Sequence, residues 1–491
     1  MIRQGISLRR VVACAFAVLV ALPAAAVAQE TGAHSDNMRF VKNIPYEARN
    51  QTPNYGTDME FARIGGRDFA VAGSEENGMR IIDVSRPEKA RVVGTYDCDI
   101  LQGDVQVFRQ KQRRGRVYAT YTADADGNPD SACYREAEAR GFDAVDGDRG
   151  RQGTFVVDIT DPRRPRTVSF VEVEQGSHNQ TVHPSGNYLY NSNADLITSL
   201  QPAIEVIDIS NLAAPHKTGE LALPTRPGLG TESHDISFNA KGDRAYSAAL
   251  SQGVVIDSSK PAKPSIVSSF VDPAVNVWHQ AEPVKIGSRE FLIVEDEFAG
   301  AAGGPVCPSG GFHVYDITGD REKAPVKVGA WNIDEARVTS SVTNTCTAHV
   351  FDIHPSQNLL TVAYYNGGVR VVDISSLAGI GLGKTDLVGA GMREVGFYRH
   401  ADADTWSAKT PRIARDGSFY LYGNDIARGF DVYRFDGKGG TSKRDGRWLS
   451  PAQARREALK LPDVKLPLGL AAGSAKASRR GNTLFCLLPR R

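Results

Sequence analysis

A five-residue phrase returns six times along this chain, and no other feature restricts the fold as tightly: Ile81-Ile82-Asp83-Val84-Ser85, Val156-Val157-Asp158-Ile159-Thr160, Val206-Ile207-Asp208-Ile209-Ser210, Val255-Ile256-Asp257-Ser258-Ser259, Val314-Tyr315-Asp316-Ile317-Thr318 and Val371-Val372-Asp373-Ile374-Ser375. β-Branched residues favour a strand, and Asp followed by Ser or Thr turns the chain by bonding nearby backbone N–H groups. Each copy therefore ends a strand. A second apolar stretch follows the turn, as in Arg91-Val92-Val93-Gly94-Thr95-Tyr96, so each copy also begins a hairpin. The Asp residues stand 75, 50, 49, 59 and 57 residues apart, a spacing that suits four-stranded propeller blades with loop insertions and no helical repeat.

A degenerate seventh copy, Gly429-Phe430-Asp431-Val432-Tyr433-Arg434-Phe435, has no outer strand after it. Met38-Arg39-Phe40-Val41-Lys42-Asn43-Ile44 reads as that missing strand and has no inner strands of its own. The expectation is an all-β, seven-bladed β-propeller over residues 38–435, closed by the N-terminal strand so that no sheet edge stays open. Residues 29–37 read as a flexible leader. Residues 436–491 read as a basic, mostly disordered tail with one short helix at 450–459, opened by Ser450-Pro451.

A chain of 491 residues could hold several domains, but the repeat accounts for most of it. Formal net charge is +1, from 58 basic and 57 acidic residues, so no bulk field favours nucleic acid or an anionic membrane. Arg3, Arg9 and Arg10, an apolar run from Val11 to Leu22 and then Ala26-Val27-Ala28 form the three-part pattern of a signal peptide over residues 1–28. Export follows, to the periplasm, the cell surface or the medium. The apolar run is too short for a transmembrane span. With Cys14 in the leader and Cys486 in the tail, Cys98, Cys133, Cys307 and Cys346 remain in the domain. An oxidising compartment favours disulfides, and chain proximity favours Cys98 with Cys133 and Cys307 with Cys346.

The Val-Val-Asp-Ile-Ser/Thr phrase, with a Gly-x-x-hydrophobic strand before it, resembles the LVIVD-repeat proteins over about residues 38–435. That resemblance implies an exported or surface-associated bacterial or archaeal propeller, and it implies no particular chemistry. Blade 7 departs from the pattern at Tyr433-Arg434-Phe435.

Four histidines share one register. His178, His234, His279 and His349 each lie eight residues before the turn residue Gly186, Gly242, Gly287 or Gln357. Innermost strands line a propeller's channel, so these side chains should form an arc at one mouth of it, from blade 3 to blade 6. Most of the loop insertions, and all four domain cysteines, fall on the same face, where function usually concentrates. Two readings compete. The histidines are either struts copied with the repeat, each bonding its neighbouring blade, or ligands for zinc, copper or iron. In the second case Glu282 and Asp352, each three residues beyond a histidine, are candidate partners of the ligands.

The run Asp124-Ala125-Asp126-Gly127-Asn128-Pro129-Asp130 offers oxygens at alternate positions, which makes calcium a lesser candidate; Pro129 stands where an EF-type loop needs Gly. Glu295-Asp296-Glu297 reads as a solvated acidic strand end that could collect a cation, and His183 and His354 read as solvent-exposed turn residues. No Ser-His-Asp set, phosphate loop, dinucleotide fingerprint or aromatic-basic stripe appears. The sequence therefore describes an exported, monomeric propeller that binds a ligand or a surface protein on its histidine face. The alternative is a metal-dependent enzyme, an oxidoreductase among the options, with its site at the channel mouth.

Overall fold

The computed structural model describes residues 32–46, 55–226, 229–297, 310–338, 347–381 and 391–437. The leader 1–28, Cys307, Cys346 and the tail beyond residue 437 lie outside the described residues, so the second disulfide and the short helix are not addressed by it.

Seven antiparallel sheets follow one another as blades, six of four strands and one of five. Blade 3 shows the pattern: inner strand Asn179–Val182, then Tyr188–Ser192, then Ala203–Asp208, which carries the repeated phrase, then outer strand His216–Ala222. The phrase acts as its chemistry requires. In all six copies the Asp Oδ1 accepts the backbone N–H two residues on, at 2.7 to 3.2 Å. In three of the copies the hydroxyl of that Ser or Thr also accepts an N–H from the second strand, as Ser85 does from Asp68 at 3.0 Å. The hairpin beyond the turn has a shared irregularity: on the outer strand one residue is skipped, for example Val93 between the pairs Ile81↔Gly94 and Ile82↔Val92. The same bulge recurs in every blade. A bulge increases local twist, and each sheet needs that twist to pack against the next around a ring.

Blade 7 is built from both chain ends, as the missing strand demanded. Met38–Ile44 pairs antiparallel with Gly429–Phe435, from Met38↔Phe435 to Ile44↔Phe430. The segment 29–37, expected to be a flexible leader, contains a strand. Gly32–His34 adds a fifth strand to blade 6 by pairing with His400, Arg399 and Tyr398, and the His34 ring stacks 5.2 Å from that of Tyr398. Backbone groups on the open edge of that blade drive this pairing, which three residues without an apolar pattern could not announce.

The core lies between neighbouring blades. Ile81 and Tyr96 of blade 1 pack with Tyr121 and Phe155 of blade 2 in one buried cluster. The insertion between Tyr121 and Gly153 holds a short helix, Ala132–Glu138, whose Tyr134 ring meets Phe155 edge-on at 5.0 Å. A disulfide from Cys98 to Cys133, with Cα atoms 5.2 Å apart, ties this helix to blade 1. Among the described residues no helix is long and apolar enough to cross a membrane.

Deleting residues 29–45 removes two added strands and reopens the ring. Each lost backbone hydrogen bond contributes about 1 kcal/mol net, so the truncated protein should show a large fall in Tm by calorimetry. An unchanged Tm would count against this closure.

Candidate metal centre

The four register-matched histidines come together. His178 precedes Asn179–Val182 and His234 precedes Asp235–Phe238, while His279 is the second residue of Trp278–Ile286 and His349 stands two before Phe351–His354. Antiparallel pairing fixes their backbones: His178 donates its N–H to Ser192, His234 to Ala248 and His349 to Ala363, at 2.8 to 2.9 Å. Each ring is 1% exposed. Successive ring centroids are 4.5, 3.9 and 4.5 Å apart from His178 through His349, and the Nε2 atoms of His178 and His234 are separated by 3.0 Å.

Outward bonds set the direction of two rings. His178 donates Nδ1–H to the Asp124 carboxylate at 3.0 and 3.1 Å, and His349 donates Nδ1–H to the Trp406 carbonyl at 2.7 Å. With Nδ1 carrying the proton, each Nε2 presents its lone pair to the shared interior. Burial, and then the neighbouring imidazoles His234, His349 and His178, hold His279 well below the usual histidine range, and burial brings His349 down to about 3. These two are neutral imidazoles, the form that binds metals.

The outward bonds of His178 and His349 also cross to a neighbouring blade, since Asp124 follows a strand of blade 2 and Trp406 belongs to blade 7. Amides and hydroxyls add further blade-to-blade bonds at this level: Asn179 Nδ2 donates to the His234 carbonyl at 3.0 Å, Gln280 exchanges two 3.0 Å bonds with Phe351, and Ser407 donates to the Thr57 carbonyl at 3.0 Å. His183 is a further histidine that bonds the next blade. Expected in solvent, it is only 6% exposed, and its Nε2 donates to the Gly242 carbonyl of the next blade at 2.8 Å. The turn around it is pressed against its neighbour, which proximity to Pro184 did not reveal.

Carboxylates meet the arc from places other than those expected. Glu282 instead accepts from Gln280 Nε2 at 2.6 Å, and Asp352 lies near His354, with 3.7 Å between Oδ2 and Nε2. Neither has a bond to the arc histidine three residues before it. On a strand a three-residue offset spans about 10 Å and changes face, so a spacing that works on a helix fails here. The partners come from the ends of second strands. Asp124 follows Tyr118–Ala123, Glu297 follows Arg289–Asp296, and Tyr365 comes shortly after Leu359–Ala363. Glu297 places one oxygen 3.7 Å from His279 Nε2 and the other 3.7 Å from His349 Nε2, and it accepts from the Tyr365 hydroxyl at 2.6 Å. Glu295 Oε2 stands 2.6 Å from His279 Nδ1.

Glu295, Asp296 and Glu297 are therefore buried, at 0 to 1% exposure, and are not a solvated strand end. Burial, with Glu297, Asp296 and Asp235 nearby, pushes Glu295 well above the usual carboxylate range. In the proposed calcium loop, Asp124 faces His178, Asp126 pairs with Arg149 at 2.9 Å and Asn128 donates to Asp99 at 3.1 Å. Three of its four oxygen-bearing side chains are engaged elsewhere. Among the described residues the one group of acidic, histidine or cysteine side chains drawn close enough to share an ion is His234, His279 and Glu297, with donor atoms within 4.8 Å of one another.

Beneath the arc the channel encloses a cavity of about 320 Å³. His234, His279 and His349 form part of its wall, together with Asp58, Asp235 and Lys409.

No family model matches the chain, and no curated protein matches it. Among solved structures it is similar to the β-propeller domain of Cps50 (Swd1) from Myceliophteria thermophila, with 11% identity and a TM-score of 0.49, over 79% of this chain and 98% of that one. At that level the likeness carries no argument about chemistry.

Burial raises the Asp352 carboxyl to about 7, Lys409 opposing and Glu60 reinforcing the shift. A carboxyl raised on folding adds stability below its unfolded value, about 3.9, and that stability is lost as pH climbs through about 7. Asp352→Asn should therefore gain in Tm on the wild type as pH rises from about 4 to about 8. Parallel Tm curves would mean that the carboxylate is not desolvated in the channel.

Proposed function

We propose that this protein is an exported metalloprotein of the LVIVD-repeat kind, in which His178, His234, His279 and His349 hold zinc, copper or iron at one end of the propeller channel. The packing of four buried imidazoles into one arc, in which donor atoms of His234, His279 and Glu297 lie within 4.8 Å of one another, supports this reading. Bonds of about 2.1 Å meeting at a right angle put two ligand nitrogens about 3.0 Å apart, which is the Nε2 separation of His178 and His234. Asp124 would orient His178 and raise its basicity, the Trp406 carbonyl would fix the tautomer of His349, and Glu297 could add an oxygen ligand.

A structural site is closed, whereas a reactive one keeps a position open. Three of these histidines border the cavity, so a small ligand has a route to the centre. Copper or iron would supply redox chemistry there, and zinc would activate water or polarise a carbonyl. This favours the metal-dependent alternative over simple docking of a protein on the loop-rich face, for which the placement of the insertions is the sole support.

Metal analysis of the purified mature protein, as isolated and after reconstitution with zinc, copper or iron, should give about one ion per chain. His234→Ala with His279→Ala should abolish uptake while circular dichroism retains the β signature. A wild type that stays metal-free under reconstitution would end this reading. Asp124→Asn should weaken affinity about 10- to 100-fold, and an unchanged affinity would remove His178 from the ligand set.

A further inference from the structure

We propose that the face opposite the histidine arc is a docking surface for an anionic phospholipid membrane, centred on blades 7, 1 and 2. Formal net charge is only +1 over the chain, yet these three blades present a strongly basic surface. The turns that join inner to second strands lie on this face. In five blades they hold two to five residues, whereas in blades 2 and 7 they hold nine, 109–117 and 410–418. The added length carries charge. The blade 2 turn contains Arg109, Lys111, Arg113, Arg114 and Arg116 with no acidic residue, and the blade 7 turn contains Arg412 and Arg415 against Asp416. Blade 1 lies between them and sets Arg63 and Arg67 on either side of Gly65-Gly66. Contacts join the three turns into one surface: Arg109 Nη2 donates to the Arg63 carbonyl at 2.5 Å, and Arg412 Nη2 donates to Asp68, the residue after Arg67, at 2.5 Å.

Height separates the charges by sign. The side chains of Asp68 and Asp83 are 11 and 9% exposed, while those of their partners Arg63 and Arg67 are 60 and 47% exposed. A plane laid across the turn tips meets the guanidinium groups first, and their planar forks match phosphate oxygens. Lys111, Arg114 and Arg415 are exposed and have no ion pair among the described residues. The blade 2 turn is fixed from beneath, since the buried Gln110 amide donates to the carbonyls of Gly186 and Ile209 at 3.0 and 2.7 Å. Two observations favour a lipid surface over a single polyanionic chain. The cations stand on separate turns of three blades, a spread that a plane of headgroups meets at once. The described chain also ends on this face, at Gly437 beside Asp416 and Gly417 of the blade 7 turn. Residues 438–491 that continue from there hold 13 Lys and Arg against 3 Asp and Glu, interspersed with Trp448, Leu466, Leu468 and Phe485. Cations mixed with large apolar residues gain from anionic headgroups and from acyl chains together. Docked this way, the protein turns its histidine mouth toward the solution, and the docking does not depend on a metal.

The test is cosedimentation of the mature protein with vesicles of phosphatidylcholine alone and with vesicles that also contain about one quarter phosphatidylglycerol. The expected result is binding to the anionic vesicles only, lost as salt rises from about 0.1 M to about 1 M and the screening length shortens. Lys111→Glu with Arg114→Glu should lower the partition constant at least about tenfold, whereas Lys241→Glu with Lys260→Glu, the same change of charge on the same face at blade 4, should change it less than about threefold. No binding to anionic vesicles, equal binding to neutral ones, or a blade 2 variant that partitions like the wild type would overturn the proposal. Equal losses in the two variants would do so as well, because net charge and not this surface would then be responsible. The comparison of the two vesicles on the wild type stands even if a variant fails to fold. Retention on immobilised alginate without vesicle binding would also overturn the proposal and give the face to an acidic polysaccharide.

Discussion

Pairing of Met38–Ile44 with Gly429–Phe435 joins the two ends of the propeller into a ring, and the rest of the structure depends on that closure. Seven blades packed side by side leave two exposed faces if the ring is open, each with unpaired or poorly packed apolar surface. Closed, each blade is held by a neighbour on both sides. Polar side chains then stitch the inner strands, as Asn424 Nδ2 does in bonding Thr57 and Gly73 across the junction of blades 7 and 1, at 3.1 and 2.8 Å. The channel diameter follows from the blade count, and so does the distance between residues of one register on adjacent blades.

That distance turns a repeat into a site. Four histidines at one register would be scattered on an extended repeat, but on this ring successive imidazoles lie within 4.5 Å of one another, centroid to centroid. Packing imidazoles at 1% exposure beside Glu295 and Glu297 is unfavourable unless their polar atoms are satisfied. The outward bonds of His178 and His349 satisfy one nitrogen on each and leave the other facing inward. Desolvation that lowers the proton affinity of His279 also keeps it available as a neutral donor. The same low-dielectric surroundings raise the channel carboxyls, which favours their protonated, neutral form.

Much of the fold was legible because a strand repeat is a local signal. The Asp of each phrase bonds an N–H two residues away, and that chemistry needs no knowledge of the rest of the chain. The histidine register was legible for the same reason: position within the repeat maps directly onto position in the ring. The partners of the histidines were not. Glu282 and Asp352 were near in sequence and remote from the rings, whereas Asp124 reaches His178 from the end of a strand in another blade and Glu297 spans His279 and His349. Gly32–His34 and the helix Ala132–Glu138 were missed because each is formed by tertiary contacts, an open sheet edge in one case and a disulfide with a buried Tyr134 in the other.

Sequence by itself determined the blade, its turns, the number of copies, the strand that completes the ring and the register of the four histidines, since all of these are set by residue type and spacing along one stretch of chain. Tertiary structure decided which polar groups face one another. Strut or ligand is a question of where a ring points, and side-chain direction depends on hydrogen bonds such as Asp124 to His178 and Trp406 to His349, whose partners are separated by 54 and 57 residues. Burial, which sets the protonation of His279 and the carboxylates around it, likewise exists only once the blades have closed.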